Sequence, residues 1–405
     1  MGTPHIVFIF MAMLLLAILV QPLAHKIKLP FSAALVLTGF LMSEAVVAVG
    51  MDTGLRWDNF QEIIFYLLIP ALVFESASKI RLTDLRRELA PILMLAIPLM
   101  IISAAIVAIV VYFAIDHPTG FPWIAALITG ALLSATDPAS VLSMLKQNHA
   151  PERLGLLLEG ESLFNDATAI VLFSLLLSLA LANNDMAQTD LGMVVGRFLV
   201  IFLGGIATGI VFGIVAWLFA SWQNNQTITT VITILSAYMS YLIAEDYFHL
   251  SGVMSVLACG IVFGECIRRK EGADHFVFEF WNVTGYIAVA LLFLLAGFTI
   301  NLDMFTSHWL AILFGIIGIT IARAFCIFGL LPVANLLPGS SPISKGHKTI
   351  MTLGGVRGAV TLALALSIPI DLGYWYSIQS IAYGVVIFTL FIQSPLMPRI
   401  IRKYT

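Results

Sequence analysis

Glu161-Ser162-Leu163-Phe164-Asn165-Asp166-Ala167 sits in the middle of a long, mostly apolar run from Leu154 to Ala182. About 20 such residues in an α-helix cross the roughly 30 Å of hydrocarbon in a bilayer, so the run reads as a membrane helix carrying ionisable groups at depth. A charge at the centre of such a helix costs about 2.5 to 3.5 kcal/mol even on a lenient insertion scale, and intramembrane carboxylates therefore mark sites of use.

The rest of the chain fits that setting. Of 405 residues 60% are hydrophobic and 11% charged, and the mean hydropathy of +1.01 lies far from that of soluble globular proteins. The lipid bilayer is thus the principal partner. A net charge of −3, with no basic or acidic tail, gives no footing for nucleic acid. Cys259, Cys266 and Cys326 lack metal-ligand spacing and read as small packing residues. No Lys or Arg precedes the first apolar run and no small-residue cleavage site follows it, so it reads as a first span and not a signal peptide. Without HExxH, GxSxG, a Walker loop or an adjacent Ser–His pair, the chain does not read as an enzyme. Histidines such as His25, His149, His275 and His347 fall in loops and take no role.

Thirteen apolar runs of spanning length lie at about 6–23, 30–49, 59–76, 90–114, 121–144, 155–182, 192–220, 227–244, 250–266, 280–299, 308–333, 349–370 and 377–398. Each is expected to be a helix, because lipid offers no partner to an open strand edge. With the N-terminus outside, sixteen Lys and Arg, among them Lys26, Lys28, Lys79, Arg153, Arg268, Arg269, Lys270, Lys345 and Lys403, fall in inner loops. Only Arg56 falls in an outer one. This positive-inside bias predicts an all-α polytopic protein with 13 transmembrane helices, its N-terminus outside and its C-terminus cytoplasmic. An odd count suits a 6+1+6 inverted repeat, in which the seventh helix links two six-helix sets of opposite entry.

In such a repeat the fifth and twelfth helices correspond, and both carry a break. Ser134-Ala135-Thr136-Asp137-Pro138 interrupts the fifth, because Pro138 lacks an N–H and pushes Asp137 away from helical dihedrals. Gly354-Gly355-Val356-Arg357-Gly358 interrupts the twelfth, with three glycines around one cation. Irregular backbone survives at this depth only inside protein or beside a watery cavity. In the sixth helix, Ser162 and Asp166 form an i, i+4 pair with Glu159 on nearly the same face, while Glu161 and Asn165 form a second pair on an adjoining face. Ser162 and Asp166 offer the hard oxygens that alkali cations accept. Glu161 needs a cation in low dielectric, and Arg357 is its expected partner. Gly205, Gly209 and Gly213 have GxxxG spacing, which permits a close helix contact within one chain or between two.

Ala135-Thr136-Asp137-Pro138, Glu161-Ser162-Leu163-Phe164-Asn165-Asp166 and Gly354-Gly355-Val356-Arg357-Gly358-Ala359 resemble the signature segments of monovalent cation/proton antiporters of the NhaP and sodium/proton exchanger type. The resemblance covers nearly the whole chain, including Phe74-Glu75 and the run from Leu291 to Gly297, and departs at Ala135 and Ala167, where the family often has proline and glycine. It implies a single transmembrane transporter unit over 1–405, with 1–89 and 192–299 as interface or scaffold helices and 90–191 and 300–405 as the ion-transporting core. It also implies Asp166 as the carrier of cation and proton, with Ser162 and the Thr136 carbonyl as ligands. Asp137 and Glu75 would complete the site, directly or through water. By the same resemblance Asn165 bonds crossed-helix backbone, and members with Asn there exchange one proton per cation without moving net charge. Glu161 with Arg357 would be a structural bridge, and Arg323 a second arginine with no named partner. A homodimer in a prokaryotic cytoplasmic membrane, serving sodium transport and pH homeostasis without a cofactor, is the remaining expectation.

The exchange also follows from physics. A carboxylate buried away from water is costly until neutralised, and a proton and a cation neutralise it equally well but not together. Competition for Asp166 therefore suffices to couple Na⁺, or Li⁺, to H⁺. K⁺/H⁺ antiport is the alternative, since oxygen ligands do not fix cation size. A passive cation channel is the rival of another class, although channels favour carbonyl rings or an open polar file.

Overall fold

The computed structural model describes residues 3–27, 29–48, 62–115, 120–182, 191–222, 225–268, 274–336 and 342–404, and among them every regular element is helical. Helices α1 (Thr3–Lys26), α2 (Phe31–Ala48), α3 (62–79) and α4 (Leu89–Ala114) are followed by α5, in two pieces, Trp123–Ser134 and Ala139–Gln147. Next come α6 (Glu152–Leu181), α7 (Leu191–Trp222), α8 (Gln226–Tyr247), α9 (Gly252–Arg268), α10 (Asp274–Phe298) and α11 (Trp309–Val333). Helix α12 is again in two pieces, Lys345–Leu353 and Ala359–Leu366, and α13 is Trp375–Tyr404. Over the described residues, each apolar run of the sequence overlaps one of these helices. Among the described residues nine are long and apolar enough to cross a membrane, namely α1, α4, α5, α6, α7, α8, α10, α11 and α13, while α2 is shorter. Of the loop cations that set the expected orientation, Lys28, Arg56, Arg269 and Lys270 lie outside the described residues.

Helix ends follow local chemistry. Asn225 opens α8 by accepting the N–H groups of Thr227 (2.9 Å) and Ile228 (3.2 Å) through Oδ1. Arg268 at the end of α9 donates to the carbonyls of Ser78 (2.8 Å) and Ile80, capping the end of α3 with a cation.

Between helices, small residues let backbones meet, as expected where lipid removes the hydrophobic drive for association. A side chain at Gly205, Gly209 or Gly213 of α7 would strike Ser251 just before α9, or Ser255, or Cys259 and Val262 within it, so the GxxxG face packs within this chain. Gly39 of α2 and Gly297 of α10 make the same kind of contact with each other's helices. The buried Trp281 of α10 donates its indole N–H to Thr233 of α8 (2.9 Å), so polar side chains pair across the interior.

Candidate functional site

Both interrupted helices break where the sequence places the breaks, and the two breaks touch. The first piece of α5 ends at Ser134 and the chain turns extended at Ala135, with φ −60° and ψ 138°. The Asp137 N–H then leaves its own helix and donates to the carbonyl of Val356 in the α12 break, at 2.7 Å. The Arg357 N–H is taken by Thr389 Oγ1 of α13 (3.1 Å), and Gln393 one turn further donates to the Leu353 carbonyl (2.6 Å). Glycine is needed here for space: a Cβ on Gly358 would collide with the Asp137 carboxylate, and one on Gly355 with the Arg323 guanidinium.

Charges complete what the breaks leave open. Asp137 accepts the N–H of Ala139 (3.0 Å) and its carboxylate lies against Gly358, so one carboxylate faces the N-terminal ends of both second pieces, where the helix dipole is positive. Arg357, 1% exposed, donates through Nη1 to the carbonyls of Ser134 (3.0 Å) and Ala135 (2.8 Å), the negative end of the first piece of α5. The expected Glu161–Arg357 bridge is therefore not formed. Glu161 instead takes a two-pronged pair with Arg323 of α11, at 2.7 and 3.2 Å, and Arg323 Nε reaches the Met351 carbonyl of α12 at 3.0 Å. The physical reason is that breaking α5 frees carbonyls that claim the Arg357 guanidinium, leaving Glu161 to the arginine of α11.

The oxygen ligands expected for a cation gather beside this crossing. Ser162 donates its hydroxyl proton to the Thr136 carbonyl, which brings those two oxygens together and leaves the hydroxyl lone pairs free to accept. Asn165 Nδ2 donates to the Ser134 carbonyl (2.9 Å) and to Thr136 Oγ1 (3.3 Å). Asp166 lies on the same face of α6 as Ser162, and its Oδ1 is shut off from solvent with no hydrogen-bond partner. Thr136, Asp137, Ser162, Asn165, Asp166 and Arg357 thus come together, with Glu161 and Arg323 beside them. Glu75 is engaged elsewhere, held by Lys79 one turn along α3 and by the Ser76 hydroxyl at 3.1 Å. Among the described residues no group of three or more His, Cys, Asp or Glu is placed to hold a metal ion. The donors at the crossing are carbonyl, hydroxyl and a single open carboxylate oxygen, which suits a weakly held monovalent cation.

Sequence reasoning missed Thr389 and Gln393, whose i, i+4 spacing inside an apolar run was the available signal, and it counted Lys79 only as a loop cation.

A carboxylate with one oxygen shut off from solvent and unpartnered, where two interrupted membrane helices cross, defines a membrane transport protein. The sequence matches the family described as "Sodium/hydrogen exchanger, transmembrane" over residues 11–403, and the chain belongs to that family of transporters, for which no cofactor is expected. The Na(+)/H(+) antiporter ApNhaP of Aphanothece halophytica is 35% identical over 345 residues, which are 84% of this chain but 64% of that protein, so the chain spans less than two thirds of that relative. The Na(+)/H(+) antiporter NhaH of Halobacillus dabanensis is 31% identical over 408 residues, 98% of each chain. The sodium proton antiporter MjNhaP1 from Methanocaldococcus jannaschii shares the fold, with a TM-score of 0.82 at 19% identity over 98% of each chain.

Proposed function

We propose that this chain exchanges Na⁺, or Li⁺, for H⁺ across the membrane, one for one and without net charge movement, by competition of the two ions for Asp166. The observation that supports this most directly is the Asp166 Oδ1, buried and without a hydrogen-bond partner beside the Thr136 carbonyl and the Ser162 hydroxyl. A carboxylate so placed is costly when bare, and either guest neutralises it. Asn165, a neutral amide committed to the crossing, adds no second titrating charge. Asp137, committed to the Ala139 N–H, acts on the cation through water and through its field. The Na(+)/H(+) antiporter names of the relatives point the same way.

The proposed architecture is thirteen crossings, N-terminus outside and C-terminus cytoplasmic, in a 6+1+6 repeat that makes α5 and α12 counterparts. Residues 90–191 and 300–405 form a core that moves against a scaffold of 1–89 and 192–299 only when Asp166 is neutralised, which yields alternating access and antiport together. A second copy covers the outward apolar faces of α1 and α7, where Phe8, Leu19, Leu203 and Phe219 are exposed, in a prokaryotic cytoplasmic membrane.

The test is proton release from acid-loaded vesicles, followed by dye on adding Na⁺, Li⁺ or K⁺ with the potential clamped. Wild type is expected to respond to Na⁺ and Li⁺, with saturation, at a rate independent of the clamp, and Asp166→Asn is expected to fall to background. Undiminished exchange by Asp166→Asn removes the central assignment. A K⁺ response above the Na⁺ response replaces sodium with potassium, and cation flux without counter-proton movement replaces the antiporter with a channel.

A further inference from the structure

The helices fall into two sets by what they touch. Helices α1, α2, α3 and α7 to α10 pack chiefly against one another, as do α4, α5, α6 and α11 to α13. On one flank the sets meet where α10 lies against the second piece of α12. Leu291 to Ala296 and Ala359 to Leu366 are buried throughout, and the one polar side chain in these two runs, Thr361, turns its hydroxyl to the Ala135 carbonyl of α5 (3.5 Å). Among the described residues, one side-chain hydrogen bond joins the two sets, and it stands at the C-terminal end of α10. Tyr383 of α13 meets Thr299, the residue after α10, with 2.6 Å between the hydroxyl oxygens. Thr299 gives its own proton to the Ala296 carbonyl (2.8 Å), so Tyr383 is the donor from one set to the other. Tyr383 is fully buried, and its helix also grips α12 along its length. Gln379 donates to the Ala365 carbonyl at the end of the second piece (3.0 Å), Thr389 takes the Arg357 N–H at the break, and Gln393 reaches the Leu353 carbonyl of the first piece. A displacement at Tyr383 therefore reaches the α5–α12 crossing through a single helix.

We propose that the Tyr383 hydroxyl latches the two sets of helices to each other and so sets how often the ion site is open to each face of the membrane. The proposal rests on Asp166 exchanging its ions by alternating access. Apolar surfaces meet by shape and have no particular partner to lose when one shifts along the other. A buried hydroxyl pair has one, because a donor drawn from its acceptor at this depth finds no water to replace it. The bond must therefore break in the conformation that opens this end of the molecule. On the orientation proposed above, the end of α10 is the outer end, so the conformation with the bond made is shut outside and open inside. Neither Tyr383 nor Thr299 belongs to the crossing that holds the ion. Tyr383 thus acts on the balance between conformations and not on the cation or the proton, which makes it a positioning residue for the exchange.

The experiment uses sealed vesicles of the full chain in both orientations, reading Na⁺-dependent proton movement to obtain the KM for Na⁺ at the inner and at the outer face. Apparent affinity at each face is reduced by the fraction of chains open to it, so the ratio of the two KM values moves by the full factor lost at the latch, whichever conformation prevails. Tyr383→Phe, which keeps the ring and removes the hydroxyl, is expected to raise the inner KM relative to the outer about fivefold, the factor that corresponds to about 1 kcal/mol for one hydrogen bond. Thr299→Val, which strands the Tyr383 donor, is expected to move the ratio the same way and at least as far. Thr299→Ser keeps the hydroxyl and is expected to hold the wild-type ratio. The double variant Tyr383→Phe, Thr299→Val is expected to match Tyr383→Phe, because both changes break the same bond. A Tyr383 that serves only the fold would lower the amount of folded protein, or the maximal rate from both faces alike, and leave the KM ratio in place. That result overturns the proposal, as does a double variant whose shift is the sum of the two singles. Asp166→Asn in the same vesicles separates the two readings: wild-type exchange by that variant sinks the exchange mechanism itself, whereas a silent Asp166→Asn with an unmoved ratio in Tyr383→Phe sinks only the latch.

Discussion

The seam between α7 and α9 and the crossing of α5 with α12 are both places where backbone meets backbone, and they are held in different ways. Along the seam the helices are unbroken, every turn satisfies its own hydrogen bonds, and contact is made by Gly205, Gly209 and Gly213 against Ser251, Ser255 and Cys259. At the crossing the helices open, and the freed groups are taken by charged and amide side chains: Arg357 on Ser134 and Ala135, Arg323 on Met351, Gln393 on Leu353, Asp137 on Ala139. Packing gives one arrangement and no alternative to it, because interiors are close-packed and do not deform continuously. Hydrogen bonds to side chains can be exchanged for others of similar worth, and only such a region can leave one carboxylate oxygen, Asp166 Oδ1, for a guest.

The largest effect should come from breaking the seam. Gly209→Leu puts a Cβ onto the carbonyl of Ser255 and then onto Ala258, and neither backbone has room to withdraw. Folded protein is expected to be lost, seen as disappearance of the monodisperse peak in detergent. A well-folded Gly209→Leu chain would show that the seam is as adaptable as the crossing.

Next in size is the ion pair beside the site. Glu161 and Arg323 are 2% and 10% exposed, and Arg323→Met leaves the carboxylate buried without a cation at a cost of about 3 to 5 kcal/mol. A marked fall of the thermal midpoint in detergent is expected, with most of it recovered in the double variant Glu161→Gln, Arg323→Met, which buries no charge. An equally unstable double variant would mean that the arginine matters chiefly for the Met351 carbonyl.

The two regions also differ in how much of them can be read before folding. Apolar run lengths, Pro138 and the glycines of 354–358 locate the helices and both breaks, because each acts through its own backbone. Ser162, Asn165 and Asp166 are legible as faces of α6 from their spacing. The partner of Glu161 is not, because the competition is decided by the carbonyls of Ser134 and Ala135, which become acceptors only once α5 has opened beside α12. Thr389 and Gln393 are hidden for the same reason: their hydrogen bonds serve another helix's break. Glu75 carries a ligand's chemistry, but Lys79 one turn away holds it, and a pairing within one helix is invisible when lysines are counted only by the side of the membrane they favour.

The smallest expected change in stability is also the sharpest comparison, because it repeats the Gly209 experiment at the crossing. Gly358→Ala adds one methyl group where Asp137 lies in contact. The obstacle runs from the Asp137 carboxylate back to its Cβ, so the carboxylate must swing away and the interrupted backbone that carries it must shift, which is possible where no continuous helix holds that backbone, at an overpacking cost of about 1 to 3 kcal/mol. That shift has a specific consequence, since Asp137 then loses its grip on the Ala139 N–H and the two second pieces lose the charge that faces their N-terminal ends. The chain is expected to remain folded with a slightly lower thermal midpoint, while the KM for Na⁺ rises by much more than that loss of stability implies. If KM and midpoint change together as they do for a variant in the seam, the crossing is packed as rigidly as α7 on α9, and the flexibility attributed to its side-chain hydrogen bonds is not there.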